Sequence, residues 1–271
     1  MRAALLADLA AEGAALEEVL TGLAPADWAR PTPAAGWTIA HQVSHLAWTD
    51  EVSLLAIRDP AAFAARAAEP DPDRGTTAVD RAGEPPAALL ARWRTGRARL
   101  ADALAAVPDG TRLTWFGPPM SAASMATARL METWAHGVDV GDALGRPPVP
   151  SARLDHIAHL GVRTRGFAFA AHGRTPPEVA VRVELTRPDG STWTDGPEDA
   201  DQSVRGPLLD FCLRVVQRRP RAALALVAVG PQADEWLDVA QAFAGEPGSG
   251  SEGLPQHGSG LAEPGDGSHP G

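Results

Sequence analysis

The chain contains no lysine and no tyrosine, so every basic side chain except histidine is arginine. With alanine, glycine, proline and arginine abundant, we read this as high-GC coding bias rather than as a functional signal. Acidic side chains, 34 in all, still outnumber the 24 arginines. The formal net charge is −10, which excludes the basic patch that nucleic acid requires and fits a soluble cytosolic surface. Cysteine is nearly absent. Cys212 stands alone, cannot form an internal disulfide, and lies in the apolar run Leu208-Leu209-Asp210-Phe211-Cys212-Leu213, where a buried, inert thiol is favoured over a nucleophile. Long hydrophobic runs are also missing. No segment approaches about 18 consecutive apolar residues, so no membrane span is expected. The N-terminus has no uninterrupted apolar core followed by a cleavage site. These absences predict a cytoplasmic protein with no membrane and no nucleic-acid partner.

A length of 271 residues is enough to bury a full core and to hold two domains. Leu5, Leu9, Leu16, Leu20 and Leu23 recur at helical spacing and predict an amphipathic helix over 2–23. Thr38 is a candidate N-cap for a second helix running to Arg58, before Asp59-Pro60. Residues 59–83 read as a long connection with a helical turn near Ala61 to Ala67. A third helix is predicted from Pro85-Pro86 to Val107, with Leu89, Leu90, Trp93, Leu100 and Leu104 on its apolar face. After an extended loop, a fourth spans Ser121 to Leu144 and ends at Gly145-Arg146-Pro147-Pro148. Four such helices suggest a bundle. Beyond them we expect one helix over 152–171, a hairpin of Val179–Thr186 and Ser191–Thr194 around Pro188-Asp189-Gly190, a helix over 204–219, a strand over 224–229 and a last helix over 234–243. The fold class is therefore mainly α: a four-helix bundle over 1–148, then a small α+β domain over 150–244. From Gly245 onward the chain is too polar to offset its ordering entropy, and 245–271 is expected to be a disordered tail.

The chemistry concentrates in Met131-Glu132-Thr133-Trp134-Ala135-His136-Gly137-Val138-Asp139. On a helix, Glu132, His136 and Asp139 fall within roughly 60° of one another about the axis. A carboxylate and an imidazole one turn apart can share a metal ion. His45, in His41-Gln42-Val43-Ser44-His45-Leu46, is the candidate third ligand. Two histidines and a glutamate with an open position suit a catalytic zinc set, and iron or nickel also accepts these donors. The alternative is structural hydrogen bonding among polar core residues. Asp139 is a candidate ligand, a partner orienting His136, or a surface carboxylate. Asp142 reads as surface. Asp139 and His41 are the candidates for a catalytic role. Asp50 and Glu51 point well over 90° away from His45, which argues against either as a ligand.

Gly36-Trp37-Thr38 leading to His45-Leu46, with Glu132-Thr133-Trp134-Ala135-His136-Gly137-Val138-Asp139 downstream, resembles the DinB-like metal-binding superfamily. More narrowly it resembles the mycothiol-dependent maleylpyruvate isomerase group, in an uncharacterised actinobacterial-type branch. The likeness covers 1–145. Residues 150–245, with Val204-Arg205-Gly206-Pro207 before a helix ending at Arg218-Arg219, resemble that group's C-terminal domain. The resemblance implies a DinB-like bundle, His45, Glu132 and His136 as ligands of a divalent metal such as Zn2+, and mycothiol as co-substrate. It makes Arg219, and less strongly Arg218, candidates for binding a small anionic substrate. The function it implies is a metal- and thiol-dependent isomerase or S-transferase, monomeric or homodimeric. The competing readings are a non-catalytic metal-binding or ligand-sensing protein and a metal-dependent hydrolase.

Overall fold

Helical periodicity in the first half becomes four long helices, and strand alternation in the second becomes one mixed sheet. The computed structural model describes residues 2–68 and 80–243. Helices α1 (Arg2–Thr21), α2 (Ile39–Arg58), α3 (Pro60–Ala68), α4 (Pro86–Ala106) and α5 (Ala122–Ala143) come first. Helices α1, α2, α4 and α5 pack as the expected bundle, α2 lying against both α4 and α5 and α1 against the same pair. End signals hold these helices in place. Ser121 Oγ accepts from Ser124 N at 3.0 Å and caps α5. Thr38 and His41 form a reciprocal cap on α2, with Thr38 N donating to His41 Nδ1 at 3.2 Å. Short strands β1 (Arg112–Leu113) and β2 (Met120–Ser121) pair antiparallel inside the loop before α5.

The second half departs from the expected elements at several points. The helix predicted over 152–171 is two, α6 (Leu154–Arg163) and α7 (Arg165–Ala171). Thr164 breaks it: its hydroxyl bonds back to Leu160 O at 2.9 Å, an alternative to continuing the helix. The stretch Gln202–Pro207, which overlaps the start of the helix predicted over 204–219, is strand β5. It runs parallel to β3 (Val181–Thr186), with Val183 opposite Val204, and that ladder satisfies its backbone. Helix α8 therefore begins only at Leu208 and ends at Val215. Strands β4 (Thr192–Asp195) and β6 (Val227–Val229) complete a sheet of order β4-β3-β5-β6. The last helix, α9 (Pro231–Val239), starts earlier than predicted because Pro231 sits in its first turn. The predicted tail, and residues 69–79 of the long connection, lie outside the described residues.

One apolar cluster runs from Leu5 and Met125 in the bundle through Leu154 and Ile157 to Val183, Phe211 and Trp236 beside the sheet. A second, with Leu16, Leu20, Trp28, Ile39, Val43, Trp93 and Val140, fills the other end of the bundle. Helix α8 is closed by Gln217 in the left-handed region, φ 56°. Gln217 N bonds Arg214 O at 3.0 Å and Arg218 N bonds Leu213 O at 2.9 Å. This is the Schellman pattern of a helix end, and it turns Arg218 and Arg219 back toward α5. No described helix is long and apolar enough to cross a membrane.

Candidate metal centre

Helices α2 and α5 face each other in the bundle, and their packing brings His45 of α2 to Glu132 and His136, which lie one turn apart on α5. One donor atom from each of His45, Glu132 and His136 lies within 4.8 Å of the others. Glu132 Oε2 is 3.2 Å from His136 Nε2 and 3.6 Å from His45 Nε2. The i, i+4 spacing on α5 sets the first contact and helix packing the second. His45 Nδ1 is buried and has no hydrogen-bond partner among the described residues. Two imidazole nitrogens and one carboxylate oxygen at this spacing suit a divalent cation, so these residues fit the metal that the sequence implied.

Burial sets the electrostatics. It drives the His136 imidazole from 6.5 down to about 3, against the opposing pull of Glu132. Burial alone would raise the Glu132 carboxyl, but hydrogen bonding and charge from His136 and His45 outweigh it and hold the group well below its ordinary range. Desolvation raises Asp139 from 3.8 to about 6, although Arg218 pulls it down.

Asp139 sits behind the cluster rather than in it. Its side chain is 2% exposed; Oδ2 is 3.9 Å from His136 Nδ1, and Oδ1 is 2.9 Å from Arg218 Nε. Arg219 forks onto Asp142 one turn further along, Nη2 to Oδ1 at 2.6 Å and Nη1 to Oδ2 at 2.8 Å. Asp142, read from the sequence as a surface carboxylate, is thus a largely buried ion-pair partner. His41 lies one turn from His45, but its Nδ1 faces the Thr38 backbone and hydroxyl. Asp50 turns away from the cluster, as its angular position predicted, and pairs with buried Arg129 at 3.0 Å.

Two features escaped the sequence reading. Gln42 is fully buried, and its Oε1 meets His136 Nδ1 in a short hydrogen bond. Its position three residues before His45 on α2 was the available signal. The second is an aromatic frame. Trp37 lies nearly parallel to His136, centroids 6.1 Å apart at 13°, and 5.4 Å from the His45 ring. Trp48 lies 6.1 Å from His45 and stacks on Phe116.

Fold and residues together define a mainly helical protein of the DinB-like isomerase architecture, with a small sheet-bearing region after the bundle. Residues 9–141 match the family model described as mycothiol maleylpyruvate isomerase N-terminal domain. Residues 177–229, spanning the sheet and α8, match one described as wyosine base formation. Two uncharacterized proteins of Mycobacterium tuberculosis, from strains CDC 1551 / Oshkosh and ATCC 25618 / H37Rv, are each 56% identical over 250 residues, covering 90% of this chain and 97% of theirs. The crystal structure of the mycothiol-dependent maleylpyruvate isomerase shares the fold, with a TM-score of 0.57 at 17% identity over 86% of this chain and 95% of that one. The chain belongs to the mycothiol maleylpyruvate isomerase-like family, in the branch of these mycobacterial relatives.

Proposed function

We propose that this protein binds one divalent metal ion through His45, Glu132 and His136 and is a mycothiol-dependent isomerase or S-transferase acting on a small anionic organic molecule. The observation that carries this reading is the convergence of the three donor atoms within 4.8 Å, in a chain of this family. A bound divalent cation lowers the pKa of a thiol that joins it and so supplies a thiolate at neutral pH. Zinc is the metal these donors favour, with iron or nickel as alternatives. The carboxylate of Glu132 offsets part of the cation's charge. The indoles of Trp37 and Trp48 shield the two imidazoles from water on the sides they cover. Arg218 and Arg219 supply the positive charge that an anionic substrate would seek. Each is held by an aspartate of α5, so a substrate carboxylate would exchange for one already there.

The hydrolase alternative needs a base near the metal position that is free to take a proton from water. Asp139 approaches His136 from the Nδ1 side, opposite to Glu132, and His41 is engaged in the α2 cap. Neither favours hydrolysis.

Elemental mass spectrometry of the purified protein tests the metal, and cobalt substitution followed by mycothiol titration tests the thiol. The expected result is about one metal per chain and a thiolate-to-cobalt charge-transfer band, both lost in His136→Ala while the helical circular dichroism persists. Wild-type protein without metal, or unchanged metal content in H136A, would sink the reading. Metal without a thiol response would turn it toward a sensor or hydrolase.

A further inference from the structure

We infer that Gln42, anchored by Thr32, is a positioning residue that fixes the proton of His136 on Nδ1 and leaves Nε2 open toward Glu132. The argument follows the hydrogen-bond donors one by one from a loop outside the site. The carbonyl of Trp37 can only accept. It receives the Thr32 hydroxyl at 3.0 Å, and the Thr32 backbone N–H at 2.8 Å. The single proton of Thr32 Oγ1 is then committed, and that oxygen is left as an acceptor. Gln42 Nε2 donates to it at 2.8 Å. An amide with its NH2 pinned in this way turns its oxygen the other way, and the group it meets is His136 Nδ1. Both ring nitrogens face an oxygen, Nδ1 that of the Gln42 amide and Nε2 that of Glu132 at 3.2 Å. The pinned amide can offer Nδ1 only an acceptor, so the single ring proton is assigned to Nδ1. The Nε2 and Glu132 lone pairs are left as the two donors a cation would join. The network therefore assigns the amide orientation and the ring protonation together.

The opposite orientation is self-defeating for the site. A flipped Gln42 would present NH2 to Nδ1 and move the ring proton to Nε2. There it would be donated to Glu132 Oε2, 3.2 Å away, and the lone pair facing the cluster would be gone. Loop residues 30–38 hold both ends of this arrangement. Pro31 and Thr38 bridge across the loop, and Ile39 N bonds Arg30 O at 3.1 Å. The Trp37 ring lies over the face of His136 while the Trp37 carbonyl terminates the relay. Gln42 is fully buried and Thr32 is 4% exposed, so water does not compete for these bonds.

The metal arm of the test rests on the proposed function; the proton arm does not. The full-length protein, labelled with 15N, is observed by two-bond proton–nitrogen correlation of its imidazoles, and zinc affinity is measured by competition with a chromophoric chelator. In zinc-free wild type, His136 Nδ1 is expected to be protonated. In Gln42→Met the proton moves to Nε2, and zinc affinity falls by roughly 10–100-fold, the range seen for partners that orient metal-ligating histidines. Gln42→Glu, which keeps an acceptor at Nδ1, recovers most of that affinity. Should Q42M not fold, Thr32→Val frees the amide without touching the ring and is expected to shift both readouts the same way. An unprotonated Nδ1 in wild type overturns the inference, as does a Q42M variant that keeps both Nδ1–H and full zinc affinity. A wild type that shows Nδ1–H but binds no zinc supports the relay and defeats the metal reading alone.

Discussion

Asp50 and Arg129 are buried charges in the bundle core, 4% and 3% exposed and paired at 3.0 Å. A pair like this is weak evidence for stability, because desolvation offsets most of its attraction; breaking it is what costs. Arg129→Met should therefore lower unfolding stability by about 3–5 kcal/mol. An Asp50→Leu, Arg129→Met double variant should recover most of the loss, as chemical denaturation would show. Burial raises the Asp50 carboxyl above 3.8, outweighing Arg129. The folded chain then keeps a proton that the unfolded chain has released, so Asp50's contribution is greatest below 3.8 and falls as pH rises above it. Removing that slope with Asp50→Asn is the check, read from stability across acidic pH. Cys212 gives a second test. It is fully buried, and burial pushes its thiol well above 9. A thiol reagent at pH 8 should leave native protein unmodified and label one thiol per chain once denaturant is added.

At this scale the sequence was legible where chemistry repeats along one helix and silent where it does not. Glu132 and His136 lie one turn apart on α5, and any helical reading pairs them. Asp50 could be set aside as a ligand by angle alone, but its partner, 79 positions away, could not be named. Gln42 meets His136 across 94 positions; its place one turn before His45 marks it only as a neighbour of that histidine on α2, and the contact with α5 exists only once the two helices pack.

Among the elements, the crossing of α6 over α8 is a close helix contact that a substitution can probe. A Cβ built on Gly161 would come within 2.8 Å of Val215 Cγ1 and 3.1 Å of Phe211 Cε1. Gly161→Ala should therefore destabilise the fold by about 1–3 kcal/mol, the range for overpacking, although alanine is the better helix former. A melting temperature equal to or above that of wild type would show that α6 can shift to make room. The first four long helices were legible because their apolar spacing and end residues agree. Strand β5 was not, because Gln202, Ser203 and Arg205 give no clean alternation. Its pairing with β3 exists only once the sheet is assembled.

For the whole molecule, the chain's organisation and its cooperativity point to different boundaries. Composition and proline content place a break near 148–150, between bundle and sheet. The larger apolar cluster ignores that break and runs from Leu5 and Met125 to Val183 and Trp236. Two ion pairs, Arg218 with Asp139 and Arg219 with Asp142, tie the turn after α8 to α5 on the bundle side. Shared apolar burial of this kind makes separate melting of the two parts costly, since either part alone would expose its share of the cluster. Calorimetry should accordingly show one unfolding transition, with calorimetric and van't Hoff enthalpies in agreement. Arg219→Met, which leaves Asp142 without its forked partner, should lower stability by about 1–3 kcal/mol while the transition stays single. Two resolved transitions in wild type would instead make 148–150 a boundary between independently folding units. The arginines of the second half would then reach the candidate metal centre only through a mobile interface. With one transition, Arg218 and Arg219 are held at Asp139 and Asp142 as firmly as the bundle itself is folded, and the part of the chain that carries the sheet helps to shape the site built on α2 and α5.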